Sequence, residues 1–204
     1  TDFILKQDTL PRSFIGASGT GFYGSTVSDT PETTAKGTGF LADLCEAWEN
    51  ASTPLEDAGI RRVVLRTGIV LAGNGGALAK LLPIFKSGMG GRLGKGDQFW
   101  SWIAMDDLLR IYDSAISNES MSGSINAVSP TAMSNDDFSK ILANVLGRPA
   151  FLPVPASILK LAIGRMAEEA LLSGQKVIPV NLDEMSFHFD FPDLELALGH
   201  CLGK

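Results

Sequence analysis

Ser18 and Thr20 stand where a short apolar run, Ser13 to Ala17, ends among the glycines of GASGTGFYG. A hydroxyl at the end of a buried strand either polarises a carbonyl or satisfies the amides of its own loop. Tyr23, three residues on, is either an acid or a ring packed at the strand end. Phe99, Trp100 and Trp102 follow a Gly-rich stretch. They either line an apolar cleft or pack a strand edge. Arg66 is either a positioned polar group near a ligand or a strand-end cation paired with a carboxylate. Asp106 and Asp107 form a carboxylate pair, of which the first also suits a helix N-cap. His188, His200, Cys45 and Cys201 show no metal-ligand spacing, so no metal site is expected and both cysteines read as reduced thiols.

The elements that must hold these groups follow from periodicity. Thr1 to Thr9 reads as the end of a helix stopped by Pro11. Ser13 to Ala17 reads as a buried parallel strand feeding a loop. Phe40, Leu41, Leu44, Trp48 and Ala51 recur at helical spacing and predict a helix with that stripe buried. Arg62 to Leu71 is a continuous β-branched run, as in a strand covered on both faces, and the crossover between the two strands makes a right-handed βαβ unit. A short helix over Ala77 to Lys86, a helix from Asp106 through Ser117 and a strand over Ser124 to Val128 follow. Ser134 with Asp137 resembles a capping box, and Gly147 closes that helix. The last quarter predicts a helix from Pro155, a second stretch around Glu168 to Ser173, and a terminal helix over Leu194 to Leu202.

Composition narrows the field. The 204 residues are 45% hydrophobic and 20% charged, enough for one sizeable core. A net charge of -6 offers no electrostatic footprint for nucleic acid or an anionic membrane. Lys160, Arg165, Glu168 and Glu169 break the apolar stretch from Ala156 to Leu172, which is too polar to span a bilayer. The expected location is the cytoplasm and the expected partner a small molecule. Nothing in the sequence fixes an oligomeric state.

Three long segments carry a resemblance: GFLADLCEAWE (Gly39 to Glu49), RTGIVLAGNGGALAKLLPIFKSGMGGRLGKGDQFWSWIAMDDL (Arg66 to Leu108), and RPAFLPVPASILKLAIG with LLSGQKVIP (Arg148 to Pro179). Together with the Tyr-Gly strand end and the Arg-x-Gly strand, the chain resembles an atypical extended short-chain dehydrogenase/reductase of the bacterial epimerase family. The resemblance implies an α/β Rossmann-like fold, a doubly wound parallel sheet with a small, mostly helical C-terminal lobe. It assigns residues 1–130 to the C-terminal part of the Rossmann domain, with a Gly-rich substrate-side insertion over 73–104, and 131–204 to the lobe. It also implies that the first three or so strands, with their glycine-rich pyrophosphate turn, lie upstream of Thr1, since GASGTGFYG leads into a polar loop rather than a helix.

The resemblance implies NADP as cofactor and places Ser18 where the superfamily carries its active-site hydroxyl, with Tyr23 as a candidate acid. It sets Val70, Gly68 and Arg66 beside the nicotinamide, largely through main-chain contact. Trp100, Trp102 and Gln98 fall on the substrate side. Two departures matter. No register of the helix after Gly39 gives Tyr followed four residues later by Lys, and Phe99 and Trp100 stand where nucleotide-sugar enzymes place a diphosphate-gripping arginine after Gln98. Arg92 and Lys95 are either its replacement or solvated loop cations. The role of Gln175 and Lys176 stays open. The expected function is an oxidoreductase or epimerase acting on a small, fairly apolar or unphosphorylated substrate. The alternative is a dinucleotide-binding sensor or scaffold without catalysis.

Overall fold

A computed structural model describes residues 1–154 and 172–204. The centre is a parallel sheet in the order β1-β2-β6, formed by β1 (Ser13–Gly19), β2 (Arg61–Thr67) and β6 (Gly123–Ala127). Among the described residues β1 pairs only with β2 and forms one edge of this sheet. Its burial is only partial, whereas Val63, Val64 and Leu65 of β2 are sealed.

Alternation along the strands assigns the two faces. Ile15, Val63, Leu65 and Ile125 join an apolar cluster with Leu108, Ile111 and Ala115 of α5 (Met105–Ser117). The opposite face receives α2 (Phe40–Asn50), whose Glu49 reaches Ser18 and Arg66. Helices therefore cover both sides of a parallel sheet.

The predicted strand over Arg62 to Leu71 divides at Gly68. Beyond it β3 (Ile69–Leu71) leaves β6 and pairs instead with β5 (Trp102–Ala104). Gly68 N–H still donates to Ala127 O while Ile69 N–H donates to Ser101 O at 2.8 Å. A Cβ at Gly68 would lie 2.6 Å from the Ser101 carbonyl oxygen, so only glycine permits the switch. An apolar run gives no sign of such a division, because both halves are equally β-prone.

A second apolar cluster joins α4 (Gly76–Lys86), α6 (Asn135–Leu146) and α8 (Leu194–Cys201) around Leu71, Trp100, Trp102 and Phe138. The strand β4 (Phe99–Trp100) pairs antiparallel with β7 (Met133–Ser134) and ties the Gly-rich stretch to α6. The capping expectation for α6 is met: Asp137 N–H donates to Ser134 Oγ at 3.1 Å, and Gly147 closes the helix in the left-handed conformation. At α5 the expectation fails. Ala104 is the N-cap, and Asp106 instead pairs with His200 at 2.8 Å. Asp107 is buried, and its two oxygens accept from the N–H groups of Asp190 and Phe191 at 2.8 and 3.0 Å. The carboxylate pair thus fastens the C-terminal segment.

Shorter elements complete the described chain: α1 (Asp2–Leu5), a 3-10 turn (Thr20–Tyr23), α3 (Pro54–Asp57) and α7 (Val180–Glu184). The first is much shorter than the Thr1 to Thr9 expectation. The helix expected from Pro155, and most of the stretch expected around Glu168, lie outside the described residues. No helix among the described residues is long and apolar enough to cross a membrane.

Candidate functional site

Parallel register places Ser18 opposite Arg66 and Arg66 opposite Asn126, so one row of buried polar side chains crosses the three strands near their C-terminal ends. Such a row on an otherwise apolar sheet requires partners. Glu49 supplies them from α2. Arg66 Nε donates to Glu49 Oε1 at 2.9 Å and Nη2 donates to Oε2 at 2.8 Å, a bidentate pair with both side chains at least nine-tenths buried. Ser18 Oγ donates to Glu49 Oε1 at 2.8 Å. Arg66 Nη1 donates to Tyr23 Oη at 2.9 Å, and Tyr23 Oη donates to Asn126 Oδ1 at 2.7 Å. The guanidinium also lies 3.5 Å from the centre of the Phe22 ring.

The electrostatics follow from this packing. Burial pushes the Tyr23 phenol above its ordinary value, and hydrogen bonding from Arg66 only partly offsets that. Burial pulls Arg66 down, but its hydrogen bonds to Glu49 and Tyr23 outweigh burial and leave it above its ordinary value. At neutral pH the cluster therefore holds a protonated guanidinium and a neutral phenol. Tyr23 is not free to act as an acid on a ligand, since its proton is committed to Asn126.

Above this row opens a cavity of about 330 Å³, lined by Ser18 to Gly21, by Leu41, Cys45 and Trp48 of α2, by Gly68, by Trp100 and by the segment Ser173 to Gln175. No Lys, Arg, Asp or Glu stands among the described residues that line it. Leu41 and Cys45, one helical turn apart, present hydrocarbon and a thiol to it. The helix is rotated from the expected face. Ala42, Cys45 and Glu49 are buried, whereas Phe40 and Trp48 are 61% and 57% exposed. Small side chains explain this: a Cβ at Gly21 would lie only 3.1 Å from Leu41 Cβ, so α2 sits directly on the glycine loop.

The sequence candidates separate. Ser18, Gly68 and Trp100 line the cavity together, while Tyr23 and Arg66 lie in the polar cluster beneath it. Trp102 is fully buried in the core, and Trp100 lies edge-on to Phe138 with ring centres 5.2 Å apart. Gln98 donates to the Leu93 carbonyl at 3.2 Å and is not a lining residue. Val70 points its side chain into the α5 cluster. Arg92 pairs with Asp136 at 3.8 Å and Lys95 is exposed, both away from the cavity lining.

Gln175 and Lys176, open in the sequence, belong to a strap that forms one wall. Ser101 Oγ donates to Gln175 O at 2.7 Å and accepts from Val177 N–H at 2.9 Å. Lys176 pairs with Asp29 at 2.8 Å. A Cβ at Gly174 would lie 2.1 Å from the Phe99 carbonyl oxygen, so glycine is obligatory at that contact. Sequence reasoning missed Glu49 and Asn126. The usable signal for Glu49 was its place four residues after Cys45 and seven after Ala42, on the stripe that becomes buried.

Comparison with known proteins places this geometry. Residues 154–201 match a family model described as Domain of unknown function (DUF1731). Over 197 residues the chain is 34% identical to the human epimerase family protein SDR39U1, covering 96% of this chain and 67% of that protein. The chain belongs to the epimerase family. Epimerase family protein Mb2239 of Mycobacterium bovis is 39% identical over 195 residues, which cover 95% of this chain and 65% of that protein. The chain thus spans somewhat less than two thirds of that curated relative. The crystal structure of human SDR39U1 (isoform 2) with NADPH matches with a TM-score of 0.86 at 31% identity, covering 98% of this chain and 68% of that one. The fold is the Rossmann-like α/β class expected from the sequence.

Proposed function

We propose that the full-length protein binds NADP(H) and acts as an oxidoreductase or epimerase of the short-chain dehydrogenase/reductase type on a small, uncharged, largely apolar substrate. The observation that carries this reading is the uncharged cavity at the C-terminal ends of β1 and β2, with Ser18 on its floor, in a fold shared with a relative crystallised with NADPH. Open α/β sheets bind ligands in the crevice outside the carboxyl ends of their strands.

The residues present fit the uncharged end of a dinucleotide. Apolar walls, the Ser18 hydroxyl and the close backbone at Gly68 surround a space suited to a single ring, with Gly68 and Ile69 running alongside. When bound, NADP(H) supplies the hydride chemistry. The chain's own residues orient the reacting ring and exclude water, and the Arg66 cluster holds the floor rigid. The cytoplasm is the proposed location.

A second reading has its own support. Leu41 and Cys45 face the cavity in place of an acid–base pair, which favours a dinucleotide-binding sensor without catalysis. NADPH titration of the full-length protein, followed by turnover assays with aldehydes, ketones and quinones, separates these. Binding with turnover that disappears in Ser18→Ala supports the enzyme, and binding without turnover supports the sensor. Failure to bind NADPH at millimolar concentration refutes both.

A further inference from the structure

Four hydroxyl protons in the cavity lining are committed to acceptors within the protein. Ser18 donates to Glu49 Oε1 at 2.8 Å, Ser101 to Gln175 O at 2.7 Å, Thr20 to Gln175 Oε1 at 3.4 Å and Thr67 to Leu65 O at 3.3 Å. Each hydroxyl has a single proton and two lone pairs, so a committed proton leaves only acceptor capacity. The Ser18 commitment is the firmest, because its partner is a carboxylate whose two oxygens are already fixed by Arg66 and which can only accept. Trp100 Nε1, the nearby aromatic donor, is sealed within the wall and so does not face the open space.

We propose that Glu49 is a positioning residue that orients the Ser18 hydroxyl as a hydrogen-bond acceptor, so that Ser18 favours ligands presenting to it an O–H or N–H donor, an alcohol or a primary amide on a small ring, over carbonyl compounds lacking one. A carbonyl oxygen would have to take the Ser18 proton from a charged acceptor, and hydrogen bonds to charged groups are the stronger ones. This reverses the expectation that Ser18 polarises a carbonyl. It deepens the reading above by naming the ligand class of the same cavity.

Benzamide and acetophenone test it, being matched in size and shape and differing in the N–H donors. Their affinities for the full-length protein, without added cofactor, are measured by calorimetry or ligand-observed NMR. Benzamide is expected to bind roughly tenfold more tightly or better. Ser18→Ala should weaken benzamide by about that factor and leave acetophenone within about twofold. Glu49→Leu, which removes the acceptor and frees the hydroxyl, should bring the two ligands to within about threefold of each other. A role of Glu49 in stability alone would weaken both ligands equally and leave their ratio unchanged. Should Glu49→Leu fail to fold, Ser18→Ala decides alone. Equal affinities, a preference for acetophenone, discrimination that survives Ser18→Ala, or binding of neither ligand overturns the proposal. NADPH titration of the same sample keeps the two readings apart, since loss of NADPH binding with intact benzamide discrimination would sink the cofactor assignment and spare this one.

Discussion

Replacing Glu49 by leucine would strand the Arg66 guanidinium in the protein interior. The pair has side-chain exposures of 6% for Arg66 and 10% for Glu49, with two direct N–H to carboxylate bonds at 2.8 and 2.9 Å. Removing one partner of such a pair costs about 3–5 kcal/mol, because the surviving charge has no counter-ion and little water. Arg66→Met should cost a similar ~3–5 kcal/mol by orphaning the carboxylate, with the added loss of the donor to Tyr23. The double variant removes both charges and replaces them with hydrocarbon of comparable volume. It should be more stable than either single variant, since replacing a buried pair wholesale is often close to neutral. Urea unfolding of all four proteins, followed by far-UV circular dichroism, supplies the cycle. The reasoning is refuted if the two single losses simply add in the double variant, or if Glu49→Leu costs under about 1 kcal/mol, the range of an exposed pair.

Gly68→Ala forces a methyl to within 2.6 Å of the Ser101 carbonyl oxygen, a backbone atom that cannot swing aside. A loss of about 1–3 kcal/mol is expected, together with faster amide exchange at Ile69, whose N–H binds that carbonyl. Tyr23 should ionise above the ordinary tyrosine range in absorbance titration at alkaline pH, and Tyr23→Phe should remove that late step. Because its folded pKa is raised, the stabilisation from the buried neutral phenol is complete below the unfolded value near 10 and fades as pH rises through the folded value. A titration in which Tyr23 ionises below that value would contradict the burial argument.

Local chemistry was legible where neighbours in sequence are neighbours in space. Ser134, Asp137 and Gly147 mark both ends of α6 because capping is settled within a few residues. The strand, loop and helix around Ser18 were also legible. The polar cluster was not, since Ser18, Glu49, Arg66 and Asn126 meet only through strand register and helix docking. The orientation of α2 misled for a related reason. Phe40 and Trp48 are the strongest hydrophobes on that helix, yet close approach to the glycine loop favours the small Ala42 and Cys45, and the Arg66 cation draws Glu49 inward. Asp106 and Asp107 looked like a helix start, and their true partners are roughly eighty to ninety residues away.

The outer side of β1 carries a consequence for handling the molecule. Among the described residues no strand pairs with it there, so its backbone N–H and C=O groups on that side form a template for pairing with any extended chain it meets. Natural sheets blunt such margins with charge, proline or a bulge, and Ser13 to Gly19 contains none of these. The 204-residue chain prepared alone should therefore self-associate increasingly with concentration, and a short peptide able to cap that margin would act as a solubilising agent.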